Sequence, residues 1–350
     1  MLTHPHRYPV LACAVALCTA LTLTACSSDS TSTSSASQRA SENSGESITV
    51  EHAFGSTTIQ GRPERVATVG WANQEVPLAL GIVPVGMPKT NWGDDDSDGL
   101  LPWVKDKIDE LGGETPILFD ETDSIDFEAV ADSQPDVILA AYSGITQEDY
   151  DRLSQIAPTI AYPKTAWGTD LQDIITVNAR GLNRAEEGER LLKEVKSTIA
   201  SDMDKHPSLK GKKIIVSGSV GTDLSKISFY TTHDPRMNFL LNAGFSAPQV
   251  VTDKSQNSEK FYEEISAENA DEFSDVDAIN TYGSDKDEEN KATLKRLQED
   301  PLWSRIPAVK KGHVIFLGTG PLSASVNPSP LSIDWGFDDY LTKIEEGLKS

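Results

Sequence analysis

Between Asn183 and His206 the chain carries one amphipathic stretch long enough to brace everything around it. Ala185, Leu191, Leu192, Val195, Ile199 and Met203 recur on one helical face. Glu186, Glu187 and Glu189 come early and Lys193, Lys196 and Lys205 late, the order the helix dipole favours. Asn183 and Glu186 have capping-box spacing, and Pro207 ends the helix by disfavouring helical geometry at His206. At 1.5 Å per residue the helix spans roughly 30 Å, about the width of a small domain. A chain of 350 residues exceeds what one core normally serves, so a lobe is expected on each side of this helix.

The flanks alternate short apolar runs with helical patterns. Arg65 to Val69, Ile82 to Val85, Pro135 to Tyr142 and Ile156 to Tyr162 are expected strands before the helix; Lys213 to Val216, Val276 to Ile279 and Val314 to Leu317 are expected after it. Helices are expected from Val76 to Leu80 and from Phe127 to Ala131, and Thr169 with Gln172 forms a second capping pair ahead of Leu171, Ile174 and Ile175. The two halves echo each other. Ile125 to Glu128 leads to Asp136-Val-Ile and then Tyr142, while Ile265 to Glu268 leads to Asp277-Ala-Ile and then Tyr282. The expected class is α/β, two Rossmann-like lobes joined by one long α-helix and facing across a cleft.

The start of the chain indicates where it works. Arg7 precedes an apolar run from Val10 to Leu23, too short for a comfortable membrane span and right for a secretory signal core. Leu23-Thr-Ala-Cys26 resembles the bacterial lipobox, in which the cysteine is lipidated and becomes the mature N-terminus. The expected organisation is therefore a signal peptide over 1–25, a Ser/Thr-rich tether over 26–47, an N-terminal lobe over 48–182, the spanning helix over 183–206 and a C-terminal lobe over 207–350. Cys13 and Cys18 would leave with the signal. The mature chain would then have no thiol for a disulfide, a nucleophile or a thiolate metal site.

Against 31 Lys and Arg stand 54 Asp and Glu, a net charge of −23 that would repel a phosphate backbone and makes nucleic acid an unsuitable partner. The four histidines beyond the signal, His52, His206, His233 and His313, have no metal-motif spacing, so no direct metal site is expected.

The segment LWSRIPAVKKGHVIFL, Leu302 to Leu317, resembles the closing segment of the iron-siderophore, haem and cobalamin class of transporter substrate-binding proteins. Leu80 to Gly86, Gln134 to Ile138 and Ile156 to Thr159 resemble the same class, so the likeness runs from about Ile48 to the C-terminus. It implies a rigid connecting helix with little hinge motion, a shallow ligand cleft, no enzymatic activity, and delivery to a membrane permease driven by a cytoplasmic ATPase. It also implies that Glu128 and Glu268, one exposed acid per lobe, dock onto the permease. The alternative reading of each is a favourable acid in a helix's first turn.

Ligand residues are expected where strands end, since carboxyl ends in open α/β sheets are where ligands bind. Trp71, Trp92 and Trp167 sit beside such loop signals, and aromatic walls suit a large amphipathic chelate. Trp103 and Trp303 are assigned to packing. Tyr142 and Tyr282 leave equivalent strands and could donate phenol hydrogen bonds into the cleft. Asp234-Pro-Arg236 reads as an N-cap, a first-turn proline and a cation where the dipole disfavours one. An anionic oxygen outside the helix, or a salt bridge to a nearby acid, would explain Arg236. Tyr230, Tyr262, Lys89 and Lys164 complete the candidates.

A ferric siderophore already fills the iron's coordination shell, so its receptor needs aromatic contact and a few donors rather than metal ligands or a cofactor. The expected function is a monomeric lipoprotein, anchored outside the cytoplasm on the cell membrane through Cys26, that captures a ferric siderophore and hands it to an ABC importer. Hydroxamate is preferred, because the candidate loops hold tryptophans and few bases. Haem with Tyr142 or Tyr282 as axial ligand is the runner-up. A surface adhesion module and a secreted α/β hydrolase are the rivals from other classes; no G-x-S-x-G elbow supports the hydrolase.

Overall fold

The computed structural model describes residues 47–349. Cys26 and the signal and tether assignments lie outside these residues. The chain opens with an antiparallel hairpin, β1 (Ile48–His52) and β2 (Gly55–Ile59). Five strands follow: β3 (Val66–Thr68), β4 (Gly86–Pro88), β5 (Ile117–Phe119), β6 (Val137–Ala140) and β7 (Thr159–Ala161). They form one parallel sheet in the order β5-β4-β3-β6-β7. The crossovers carry α1 (Glu75–Ala79), α2 (Pro102–Leu111), α3 (Phe127–Asp132) and α4 (Gln147–Ile156), and α5 (Leu171–Gly181) follows the last strand. Because β3 and β6 are buried along their whole length, they read in sequence as continuous apolar runs.

The long helix is present as α6 (Ala185–Lys205). Its start differs from expectation. Arg184 occupies the N-cap, whereas Asn183 stands at φ 53° and its Nδ2 donates to the Gly61 carbonyl at 2.9 Å. The second capping pair is likewise displaced: Asp170 caps α5 by accepting from Asp173 N–H, while Thr169 Oγ1 donates to the Ala141 carbonyl at 2.6 Å. Gly188 lets α6 lie close on α5, since a Cβ there would come 2.4 Å from Ala179 Cβ. Leu192, Val195 and Met203 are buried, and His206 ends the helix ahead of Pro207 as expected.

Beyond it, β8 (Ile214–Ser217), β9 (Lys226–Tyr230), α7 (Pro235–Ala243), α8 (Gln249–Gln256), β10 (Tyr262–Ser266), β11 (Ala278–Thr281), α9 (Asp287–Glu299), α10 (Pro307–Lys311), β12 (Val314–Phe316), α11 (Pro321–Ser325) and α12 (Pro330–Gly347) complete the chain. Here the parallel sheet has three strands, β12-β11-β8, and β9 with β10 forms a separate antiparallel hairpin. The α/β class holds, with a smaller second sheet than two matching Rossmann-like units would give. Two further expectations are corrected. Ile82 to Val85 is irregular chain after the turn at Gly81 (φ 81°), and the strand is the next segment, Gly86–Pro88. The second copy of the echoed helix is a 3-10 segment, Ala267–Phe273, with non-helical backbone at Asn269. Both hairpins were absent from the sequence reading.

Candidate ligand-binding site

The order of the five-stranded sheet reverses between β3 and β6, and the loops leaving those two strands part there to open a crevice. Asn73, fully buried, stitches them: its Nδ2 donates to the Val69 and Tyr142 carbonyls and its Oδ1 accepts from Tyr142 N–H. Gly70 (φ 80°) permits the close approach, because a Cβ would sit 2.6 Å from the Tyr142 carbonyl oxygen. A cavity of about 440 Å³ opens above this stitch. Its walls come from the ends of β3 (Gly70, Trp71, Ala72, Gln74), β4 (Lys89 to Trp92), β5 (Glu121), β6 (Tyr142) and the loop after β7 (Trp167). Arg236, Phe261 and Asn327 close it from the C-terminal half. A second concavity shares Trp71, Trp92, Arg236 and Asn327 and extends to Tyr282.

Five of the eight expected ligand residues therefore line the main cavity: Trp71, Trp92, Tyr142, Trp167 and Arg236. Trp92 and Trp167 are 38% and 40% exposed, unusual for free-standing indoles. Trp167 is held at φ 58° by its N–H on the Ser143 carbonyl at 2.9 Å, and its ring meets Tyr142 edge-on at 5.5 Å. Ala72, also in the wall, stands at φ 60°. Strained backbone at two points of one cavity costs about 1–3 kcal/mol each and is typical of sites where geometry matters more than stability.

Arg236 is the best-defined cation. Asp234 caps α7, and its carboxylate also takes the guanidinium from Nε at 2.8 Å and Nη2 at 2.6 Å. Burial opposes the charge, but the bonds and attraction of Asp234 outweigh it and hold the guanidinium charged. The salt bridge anticipated as one explanation is thus made, and the planar group still faces the cavity. Tyr230 lies beneath the guanidinium rather than on the cavity wall, and Tyr262 packs against Tyr230 at 5.5 Å, so both act one layer back. Tyr282 accepts from Arg236 Nη1 at 3.1 Å and meets Trp92 edge-on at 5.5 Å. Tyr142 Oη donates to Asn327 Oδ1 at 3.2 Å, and burial pushes its phenol up to about 12. Lys89 is in the wall; Lys164 lines a neighbouring concavity with His233 and Glu259.

Glu121, Gln74, Asn327 and Phe261 escaped the sequence reading. Glu121 lies in an acidic loop that looks like solvated surface, yet burial raises its carboxyl to about 7, only partly offset by the Gly70 N–H that its Oε2 accepts at 2.9 Å. Trp103 is core as expected, its Nε1 donating to the fully buried Glu75 at 2.8 Å. Trp303 is also buried. Glu128 and Glu268 are both exposed, in the first turns of α3 and of the 3-10 segment.

Residues 66–319 match the family described as periplasmic binding protein. The Bacillus subtilis (strain 168) protein named "Probable siderophore-binding lipoprotein YfiY" is 29% identical over 304 residues, covering 85% of this chain and 87% of its own. The Fe(3+)-citrate-binding protein YfmC of the same strain is 26% identical over 270 residues, 77% of this chain and 78% of its own. Among solved structures, Streptococcus pneumoniae TIGR4 PiaA in complex with ferrichrome superposes with a TM-score of 0.80 at 44% identity, covering 86% of this chain and 99% of that one.

Proposed function

We propose, from the premise that this chain belongs to the periplasmic binding protein family and is a binding protein of transport rather than an enzyme, that its cleft captures a neutral ferric hydroxamate siderophore for an ABC importer. The observation that carries the reading is the wall itself: Trp71, Trp92 and Trp167 line one cavity together with a guanidinium whose charge is already balanced by Asp234. Indole faces suit an amphipathic chelate, and Arg236 can donate to metal-bound oxygens without an excess positive charge. Lys89 is the other cation of the cavity, and Glu121 stands with it. A trianionic tris-catecholate would need a cluster of bases, and a neutral tris-hydroxamate needs none. The likeness to PiaA, solved with ferrichrome, points the same way.

Haem is the less suitable ligand. Axial ligation by Tyr142 would require a phenolate, which burial disfavours. For delivery, Glu128 and Glu268 are the proposed contacts with the permease, and the lipid on Cys26 is the proposed anchor to the outer face of the cell membrane. The protein works as a monomer with two lobes braced by the long helix. Titration of purified protein with ferric hydroxamates, ferric catecholates and haem, read by tryptophan fluorescence, tests the ligand class. Saturation by hydroxamates supports the reading, and saturation by haem alone defeats it.

A further inference from the structure

The loop that brings Trp92 to the cavity holds a cation supplied by the chain itself. Thr90 N–H donates to the Gly99 carbonyl at 2.8 Å and closes the segment that carries Asn91 and Trp92. Inside it, Asp94 accepts from Ser97 N–H at 2.8 Å and Gly99 N–H at 2.7 Å, and one oxygen of Asp98 accepts from Leu100 N–H at 2.8 Å. The second oxygens of Asp96 and Asp98 converge on Lys105 Nζ, at 2.6 Å and 2.5 Å. Asp94, Asp96, Asp98 and Gly99 (φ 86°) follow the Asp-x-Asp-x-Asp-Gly spacing of a calcium-binding loop, but Lys105 stands where such a loop ends on a bidentate glutamate. The ammonium therefore sits among the carboxylates in place of a metal ion.

Helix stability does not explain this lysine. It lies one turn into α2, whose start has neither an acid nor a side-chain cap, and a cation there opposes the helix dipole. The helix itself is a firm base, with Trp103, Val104 and Ile108 buried. At Gly93 the loop also meets the C-terminal half, where a Cβ would come 2.4 Å from Ala324 Cβ in α11. We propose that Lys105 is a positioning residue for the chelate: it fastens the Asp94–Gly99 loop to α2 and so holds Trp92 in its binding position at the cleft. This rests on the reading of the cleft as a ferric-chelate site. It adds that the Trp92 wall is set before the ligand arrives and without any metal.

The test is a double-mutant cycle between Lys105 and Trp92, read as the ferrichrome Kd by isothermal titration. Lys105→Met keeps most of the stem and removes the charge; Asp96→Asn with Asp98→Asn breaks the same contact from the loop side while keeping an oxygen for each backbone N–H. Either change should raise the Kd by about fivefold when Trp92 is present and leave it unchanged in the Trp92→Ala background. Millimolar calcium chloride should not alter the wild-type Kd. Equal losses in both backgrounds, no loss in either, or a wild-type affinity that depends on calcium would overturn the role of Lys105 while leaving the chelate reading intact. Failure of the wild type to bind ferrichrome would overturn both.

Discussion

The Arg236 guanidinium lies over the Tyr230 ring, 3.7 Å from its centroid. The ring supplies a face for the cation, Asp234 holds its edge, and Tyr282 fixes Nη1, so the side chain that closes the cleft is clamped before any ligand arrives. Preorganisation of this kind lowers the ordering cost of binding.

Asp234→Ala removes both the cap of α7 and the partner of a mostly buried cation. Stability should fall by about 3–5 kcal/mol, measured as a lower midpoint in urea unfolding, because an uncompensated charge stays behind.

Trp92→Ala and Arg236→Ala should each weaken ferrichrome binding by about tenfold or more, with a smaller change in melting temperature for Trp92→Ala, whose side chain is 38% exposed, than for Arg236→Ala, whose guanidinium is mostly buried. Isothermal titration provides the affinities. Unchanged affinity in both variants would place the ligand elsewhere.

Glu75 gives a pH signature of stability. Burial raises its carboxyl to about 7, against the pull of bonds from Ser329, Trp103, Leu331 and Ser332. A carboxyl raised in the folded state contributes stability that is fully present below the unfolded value of 4.5 and is lost as pH rises through about 7. The loss is on the order of 3 kcal/mol. Urea unfolding at pH 4.5 and pH 8 should differ less for Glu75→Gln than for the wild type.

Charge reversal at Glu128 and Glu268 should leave ferrichrome affinity unchanged and abolish iron uptake in cells. Neither side chain lines the cavity, and both are exposed. Loss of affinity instead would mean that these acids shape the cleft.

Cys26→Ala should release the protein from the membrane fraction and end its labelling by radioactive palmitate. Retention on membranes with labelling intact would place the lipid on another residue.

Much of the scaffold was legible because buried parallel strands and a long amphipathic helix leave strong periodic signals. Val137 to Ala140 and the face of Leu192, Val195 and Met203 are examples. The helix start was misplaced because Asn183, a good cap by type, adopts a positive φ and bonds to Gly61, more than 100 positions away. At the site, Trp71, Tyr142 and Trp167 were legible because they follow strands. Glu121 and Gln74 were not, since their burial comes from loops converging at the switch point, which no local pattern records. Tyr230 and Tyr262 pair in register across a hairpin that the sequence reading lacked, which is why they stand behind Arg236 instead of beside it.

The most direct test of the central claim is a fluorescence titration of the purified protein with ferrichrome, repeated with a ferric tris-catecholate. The cavity described here predicts saturable quenching by ferrichrome that is lost in Arg236→Ala, with no saturation by the catecholate. Tight binding of the catecholate, or no response to ferrichrome, would contradict the assignment of a neutral hydroxamate to this cleft.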